Sequence, residues 1–183
     1  TLSTSSAASD VYKRQFQLNK FHGLGLEFEI AITLSHELNS KMGLFDSKNI
    51  RKYIKCLSPA FELIIDRGAD YSNIDALTMI TDNAWCSGIV LGKELPNWKN
   101  LNLEKLKSKL YWNKEVPQDA LINDANPLES LSWVANLLIS QGRVIPKNSV
   151  IITGSVIKTR APLINDHIIY NVGGLSEVEI RIT

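Results

Sequence analysis

The chain has 183 residues, of which 44% are hydrophobic and 21% are charged, and its formal net charge at pH 7 is +1. This composition is typical of one folded domain and excludes disordered, collagen-like and coiled-coil proteins. No window approaches the roughly 18 consecutive apolar residues that a membrane span needs, and the near-neutral charge offers no basic surface for nucleic acid. We therefore expect a soluble protein without a membrane or nucleic-acid partner.

The start of the sequence differs from the rest. Residues 5–15, SSAASDVYKRQ, are similar to the translation of a sequencing adapter joined to a reading frame. We therefore expect residues 1–15 to be an artefactual or disordered leader, and residues 16–183 to form a single domain that is incomplete at its N-terminus. Cys56 and Cys86 form no CxxC motif and no secretory signal is evident, which favours a reducing cytoplasm.

The first regular element is a strand. Residues 27–34 alternate with a period of two, so that Phe28, Ile30, Ile32 and Leu34 share one face while the other face begins with two glutamates. One face of this strand is expected to belong to the core.

The following segments predict shorter elements. Asp46 or Ser47 is expected to cap a helix that runs to Leu57 and stops at Pro59. A second strand is predicted over residues 60–66, with acids on the less apolar side. The next patterns predict a helical turn over residues 74–81 and strands over residues 88–92 and 103–112.

The clearest helix start in the chain is at Asn126, which is expected to cap a helix with Pro127 in its first position and Gly142 after its end. A buried strand over residues 150–153 and a hairpin of residues 167–172 and 177–182 complete the pattern. The sequence therefore predicts an α+β domain that is mostly β.

Three acids on the two predicted strands form a candidate metal site. Glu27 and Glu29 are two positions apart, so both side chains leave the same face of the strand, where like charges need a cation or hydrogen-bond donors between them. Glu62 lies on the polar face of the second strand. Three carboxylates suit a hard divalent ion such as Mg²⁺ or Mn²⁺. From spacing alone, a solvated outer face is the more common explanation.

Five blocks of sequence follow one another in a characteristic order. They are residues 25–32 (GLEFEIAI), residues 59–66 (PAFELIID), residues 81–84 (TDNA) with 88–92 (GIVLG), residues 126–136 beginning NPL, and residues 153–155 (TGS). Together these blocks resemble the 2-keto-4-pentenoate hydratase branch of the fumarylacetoacetate hydrolase superfamily. The resemblance implies a mixed β-sheet roll with a few helices, like the C-terminal domain of that superfamily, and makes residues 16–183 a single catalytic domain.

The resemblance also implies a chemistry. In that family the counterparts of Glu27, Glu29 and Glu62 hold Mg²⁺ or Mn²⁺, which binds the carboxylate and 2-oxo oxygens of a short 2-oxo acid. We therefore expect a metal-dependent hydratase that adds water to a 2-hydroxydienoate in the meta-cleavage catabolism of aromatic compounds. Close relatives instead decarboxylate a 2-oxo-enedioate, 4-oxalocrotonate, and metal chemistry alone does not distinguish the two reactions.

Further site residues follow from the same blocks. Asp82 and Asn83 match the family's Asp-Asn pair and are expected to position substrate or water, although such a pair is equally common in an ordinary turn. Ser155 follows a strand, where it could bind a carboxylate or form a plain strand exit. Lys158 departs from the family pattern of small or apolar residues, which indicates either a changed substrate preference or, as the favoured interpretation, a basic loop.

Two other functions remain open. The chain could be a non-catalytic partner subunit, since hydratases and decarboxylases of this type can associate, or a C–C hydrolase, which would need a general base that no histidine supplies near the first strand. The resemblance implies a homo-oligomer, and possible membership of a decarboxylase/hydratase complex. Family members also have an N-terminal section with a Lys and acid–base residues that has no counterpart in this sequence, which leaves the activity of this chain by itself an open question.

Overall fold

The computed structural model of the protein describes residues 13–183 and consists of two β-sheets with two short α-helices. The predicted α+β class with mostly β character is confirmed. The strands are β1 (Lys13–Phe16), β2 (Leu24–Leu34), β3 (Ile54–Ile65), β4 (Cys86–Leu91), β5 (Lys107–Trp112), β6 (Gln118–Leu121), β7 (Val150–Ile152), β8 (His167–Val172) and β9 (Ser176–Ile182). The helices are α1 (Ala76–Thr81) and α2 (Pro127–Ser140).

The predicted leader falls mostly outside the described residues, which begin at Lys13. The last three residues of the adapter-like string, Lys13, Arg14 and Gln15, lie in β1, which pairs in parallel with β9. The artefactual origin of the string, and the incompleteness of the domain, stay predictions.

The two sheets differ in size and in the direction of their strands. The five-stranded sheet has the order β1-β9-β8-β5-β6, and only its β1–β9 pair is parallel. The four-stranded sheet has the order β4-β3-β2-β7 and is antiparallel throughout. The long β2–β3 pair forms the centre of this second sheet and carries the predicted acidic positions.

Aromatic rings join the two sheets. Phe28 of β2 and Phe61 of β3 have ring centroids 5.7 Å apart, and the ring of Tyr170 on β8 lies 5.8 Å from that of Phe28. All three side chains are completely buried. Large rings in offset or tilted contact bury much apolar surface and pack in few arrangements, so this cluster fixes how the sheets face each other.

The predicted helix from Asp46 or Ser47 to Leu57 is wrong. A single 3-10 turn covers Ile50–Tyr53, and β3 begins immediately after it. The eleven residues of β2 offer backbone groups along their whole length, and pairing as far as Leu34 with Ile54 satisfies them. Tertiary pairing therefore overrides the local helical spacing.

Pro59 was expected to end that helix, but it lies inside β3. Its carbonyl oxygen accepts the Gly92 N–H at 2.8 Å, on the side of β4 and just past the end of that strand. The N–H and C=O of one residue in an antiparallel strand point the same way. An N–H at position 59 would therefore point past the end of β4, so its absence in proline removes no hydrogen bond from the paired part of that strand.

Three other predicted details also change. Asn126 precedes α2, but it has a left-handed φ of 46° and its side chain forms no capping hydrogen bond. The strand predicted over residues 103–112 begins only at Lys107. The strand predicted to be buried over residues 150–153 is an edge strand, and Val150 is exposed. The hairpin around Gly173 and the helical turn before Asp82 are confirmed.

Neither α-helix of the described chain has the length and apolar character needed to cross a membrane.

The exit from β4 is too tight for a side chain. A Cβ at Gly92 would lie 2.5 Å from the carbonyl oxygen of Glu177 on β9 and 2.8 Å from the ring of Pro59. We expect Gly92→Ala to lower the free energy of unfolding by about 1–3 kcal/mol in urea denaturation, because backbone must move to admit the methyl group. Gly88→Ala is the matched control, since its Cβ would meet only Leu63 at 3.8 Å. Equal stability of the two variants would contradict this account.

Candidate metal centre

Three glutamates converge on the face of the β2–β3 pair that points away from the aromatic cluster. Glu27 and Glu29 project from β2, and Glu62 lies directly opposite Glu27 in the ladder with β3. One carboxylate oxygen from each lies within 4.8 Å of the others. The structure therefore brings together the three residues that were predicted as metal ligands.

The cluster is largely removed from water. Glu29 and Glu62 are only 2% and 8% exposed, and Glu27 is half-buried. Among the side chains described for residues 14–183, no Lys, Arg or His forms an ion pair with any of the three carboxylates. Buried like charges without a counter-charge are strongly unfavourable, so the site needs a proton or a cation.

Two hydrogen-bond donors from the segment that follows β7 support the cluster. The Gly154 N–H donates to Oε2 of Glu29 at 2.7 Å, and the Thr159 hydroxyl donates to Oε1 of Glu27 at 2.6 Å. Gly154 has a φ of +108°, a conformation that side chains strongly disfavour. A glycine is therefore required where the backbone turns its N–H toward Glu29.

The electrostatics of the cluster are concentrated on Glu29. The pKa of Glu29 is raised from its ordinary value of 4.5 to about 8, and burial is the largest cause. The hydrogen bond and negative charge of Glu62 and the charge of Glu27 also raise this pKa, whereas the Gly154 N–H lowers it. Glu29 is thus protonated near neutral pH unless a cation replaces the proton.

The donor set fits a hard divalent cation. Three carboxylates supply the oxygen ligands that Mg²⁺, Mn²⁺ and Ca²⁺ prefer, and within the described chain no sulfur or imidazole belongs to the group. Glu29 and Glu27 each keep one oxygen that is not the acceptor of the Gly154 or Thr159 hydrogen bond. The residues of the cluster can therefore hold a divalent metal.

The cluster lines one side of an open cavity of about 750 Å³. Apolar side chains form much of the wall, and the ring of Tyr71 packs on that of Trp85 with centroids 5.3 Å apart. Lys158 and Thr159 also line this cavity. The apolar lining is formed by Ile64, Met79, Ala84, Trp85 and Ile152.

Asp82 and Asn83 lie close to this wall without lining it. Asp82 is the C-cap of α1 and pairs with Arg67 at 2.9 Å, and the Asn83 amide donates to the Cys86 carbonyl at 3.2 Å. The next residues, Ala84 and Trp85, line the cavity. Residues 83–85 all have positive φ, which is a costly conformation for side chains and fixes the turn that presents Trp85.

Ser155 ties the segment after β7 to β2. Its hydroxyl oxygen accepts the Phe28 N–H at 2.8 Å and its O–H donates to the Ile157 carbonyl at 2.7 Å. The neighbouring Thr153 hydroxyl donates to the Ile30 carbonyl at 3.0 Å. The Thr-Gly-Ser block therefore forms an anchor that positions the Gly154 N–H, and its hydroxyls bond to backbone.

Sequence analysis missed the role of Thr159 as a donor to Glu27 and the contribution of Met79 and Trp85 to the cavity wall. A hydroxyl 132 positions away from its acceptor leaves no local pattern. The Thr-Gly-Ser block was the one available signal for this segment, because a glycine between two hydroxyl residues indicates a special backbone position.

Comparison with known proteins places the fold. The chain superimposes on 4-oxalocrotonate decarboxylase from Pseudomonas putida G7, in a structure complexed with magnesium and adipate, with a TM-score of 0.80 and 22% identity over 95% of this chain and 67% of that chain. A protein from Yersinia pestis CO92, described as a fumarylacetoacetate hydrolase family member, gives a TM-score of 0.68 and 13% identity over 95% and 79%. The predicted mixed β-sheet roll is confirmed as the fold of this chain.

Sequence comparison points to the same group. The 4-oxalocrotonate decarboxylases of Pseudomonas putida and of Pseudomonas sp. strain CF600 are each 28% identical to this chain over 127 residues, which are 67% of the chain and 47% of each relative. The chain thus spans about half the length of the curated relatives it matches. No family model matches the sequence. These likenesses support the family resemblance of the five blocks.

The raised pKa of Glu29 makes the stability of the metal-free chain depend on pH. Folded Glu29 keeps its proton to about pH 8, whereas an unfolded carboxyl releases it near 4.5. The folded state binds more protons between these values, so the free energy of unfolding should fall by roughly 2–4 kcal/mol as pH rises through this window. Urea denaturation in EDTA measures it. Glu29→Gln should flatten the dependence and exposed Glu104→Gln should not; a Glu29→Gln profile that kept the wild-type slope would contradict the assignment.

Ser155→Ala should destabilise the chain. The Phe28 N–H would lose its acceptor in a partly buried position, which costs about 1–2 kcal/mol in the free energy of unfolding. Ser140→Ala is the control, because that hydroxyl donates to a carbonyl at an exposed helix end and its loss should cost less than about 0.5 kcal/mol. Equal effects in urea denaturation would show that Ser155 does not anchor the segment.

Proposed function

Starting from the fumarylacetoacetate hydrolase fold and the sequence likeness to 4-oxalocrotonate decarboxylases, we propose that this chain forms the metal centre of a lyase that decarboxylates a short 2-oxo-enedioate. The observation that carries the proposal is the buried cluster of Glu27, Glu29 and Glu62 on the wall of a mostly apolar cavity. A chain without a catalytic role has no use for three carboxylates whose burial destabilises it.

Each part of the site has a role in this reaction. Glu27, Glu29 and Glu62 would hold Mg²⁺ or Mn²⁺, and the bound ion would act as a Lewis acid toward the 2-oxo and adjoining carboxylate oxygens of the substrate. The donors from Gly154 and Thr159 hold two of the ligands in place. The apolar side chains of Ile64 and Ile152 make that part of the wall less polar than water, which strengthens electrostatic interactions beside it.

The proposed reaction breaks the bond between the far carboxylate and the carbon chain. The carboxylate leaves as CO₂, and the electron pair of that bond passes through the neighbouring double bond to the 2-oxo oxygen. Uptake of one proton at that oxygen gives 2-hydroxypenta-2,4-dienoate. The site favours this step because positive charge would be placed where negative charge develops.

Hydration of the dienoate, the reaction that sequence analysis places first, is the second candidate. The product of the decarboxylation is the substrate of the hydration, and both reactions need the same activation of a 2-oxo acid. The order of the five sequence blocks favours it, whereas the named sequence relatives are decarboxylases. We therefore propose decarboxylation first.

The remaining predicted residues enter this proposal in supporting roles. Ser155 would position Gly154, and Asp82 with Asn83 would set the turn that presents Trp85 to the substrate. Oligomer formation and association with a hydratase stay proposals. The cavity lining contains no histidine among the described residues, which gives a C–C hydrolase no imidazole base at this site.

Glu29→Gln and Glu62→Gln should each lower the rate of CO₂ release from 2-oxohex-3-enedioate at least about 100-fold in the presence of Mg²⁺ or Mn²⁺, because each removes a charged ligand. The same variants should weaken Mn²⁺ binding, measured by electron paramagnetic resonance of the free ion. Glu104→Gln, a change at an exposed acid outside the cavity lining, should leave both quantities unchanged.

The two candidate reactions are separated by supplying 2-hydroxypenta-2,4-dienoate in a parallel assay and following its ultraviolet absorbance. Loss of the dienoate without CO₂ release from the enedioate would replace decarboxylation by hydration. Mn²⁺ binding without turnover of either substrate would favour the partner-subunit hypothesis. A chain that binds no Mn²⁺ would refute the metal centre itself.

A further inference from the structure

Lys158 gives the cavity a positive charge in addition to its acidic cluster. It lines the same cavity as Glu27, Glu29 and Glu62, and it is the one Lys or Arg among the described lining residues. The residue is adjacent to Thr159, whose hydroxyl holds Glu27, so the backbone that carries Lys158 is fixed to the rim of the metal centre.

The ammonium group of Lys158 is available to a ligand. No carboxylate of residues 13–183 lies within 4 Å of it. The next basic residue, Arg160, is engaged elsewhere, since its guanidinium pairs with Glu115 at 2.9 Å and stacks on the ring of Trp112 at 4.0 Å. Lys158 is exposed, so its long side chain is not fixed by packing against neighbouring residues.

We propose that Lys158 binds the carboxylate at the far end of the substrate and so makes the site selective for 2-oxo dicarboxylates over 2-oxo monocarboxylates. This inference rests on the proposed function, in which the 2-oxo end of the substrate is held at the glutamate cluster. It gives Lys158 a role in specificity that applies to the decarboxylase and not to the hydratase. The decarboxylase substrate has a second carboxylate, and the hydratase substrate does not.

The charges of the cavity support this assignment. The three glutamates attract a divalent ion and offer nothing to a second carboxylate, which they would repel. Lys158 is thus the lining residue whose positive charge can compensate the charge of the second carboxylate. The apolar side chains of Met79 and Trp85 in the same lining suit the carbon chain that joins the two carboxylates.

The ion pair would act on binding more than on the rate of the chemical step. Negative charge leaves the far carboxylate as CO₂ forms, so Lys158 stabilises the bound substrate and not the charge that develops at the 2-oxo end. Removing Lys158 should therefore raise KM without lowering kcat. If Lys158 merely supported the fold, its removal would instead lower kcat and thermal stability together.

Binding of two inert ligands tests the proposal directly. 2-Oxoadipate and 2-oxohexanoate have the same length and the same 2-oxo acid group, and they differ in the far carboxylate alone. With Mg²⁺ present, isothermal titration calorimetry should show 2-oxoadipate binding roughly fivefold more tightly to the wild-type chain, the range expected for a partly exposed charge pair.

Substitutions at position 158 should change this preference selectively. Lys158→Met should remove it and leave the affinity for 2-oxohexanoate unchanged, and Lys158→Arg should retain it. Lys147→Met is the matched control, because Lys147 is an exposed lysine that does not line the cavity. Lys158→Met should also raise KM for 2-oxohex-3-enedioate by about the same factor with kcat not reduced.

The outcomes separate the two proposals. Equal affinity of the wild-type chain for both ligands, unchanged in Lys158→Met, would overturn the role of Lys158 while Mg²⁺-dependent binding upheld the metal centre. Absence of Mg²⁺-dependent binding of 2-oxohexanoate would refute the metal centre, and the specificity role would fall with it. A preference for 2-oxoadipate that survives in Lys158→Met would assign the second carboxylate to another group.

Discussion

The register of one pair of strands determines whether this protein has a site at all. Phe28 and Phe61 lie opposite each other in the β2–β3 ladder and belong to the buried aromatic cluster, so both strands must turn these residues toward the other sheet. The alternate residues then meet on the opposite face, where Glu27 lies opposite Glu62. A slip of one residue would move the acids to the core and the rings outward. Core packing thus holds together carboxylates that repel one another.

The sequence predicted the structure well where a short repeat of apolar residues determines which face of a strand each side chain occupies. Alternation along residues 27–34 places Glu27 and Glu29 on one face, and this needs no knowledge of the rest of the chain. The helix over residues 46–57 was wrong because its last four residues belong to β3 and pair with β2, although their apolar spacing suits a helix as well as a strand. The partner strand decided between the two, and a partner is not a local property.

The surroundings of the acids were beyond sequence reasoning for the same reason. Gly154 is 125 positions from Glu29, and Thr159 is 132 positions from Glu27, so no spacing rule links them. Family resemblance drew attention to the Thr-Gly-Ser block, but Lys158 departs from the family pattern, and a basic loop was favoured there over a changed substrate preference. The structure makes a functional role of Lys158 more plausible than the sequence did, because this residue lines the cavity that contains the acids.

The donors to the acids come from the segment that follows β7, the strand with the fewest residue pairs in its sheet. β7 forms only three residue pairs with β2. Beyond it the segment is held by the Val156 N–H on the Phe28 carbonyl, by the bridge between Leu26 and Arg160, and by the side-chain hydrogen bonds of Thr153 and Ser155. Local unfolding proceeds first where few backbone hydrogen bonds must break. Residues 150–160 are thus more weakly paired than β2 and β3, and Ile157, which is buried in the core, is their apolar anchor. The stability of this segment therefore determines how rigidly Glu27 and Glu29 are held, since the donors that reach them from Thr159 and Gly154 both lie in it.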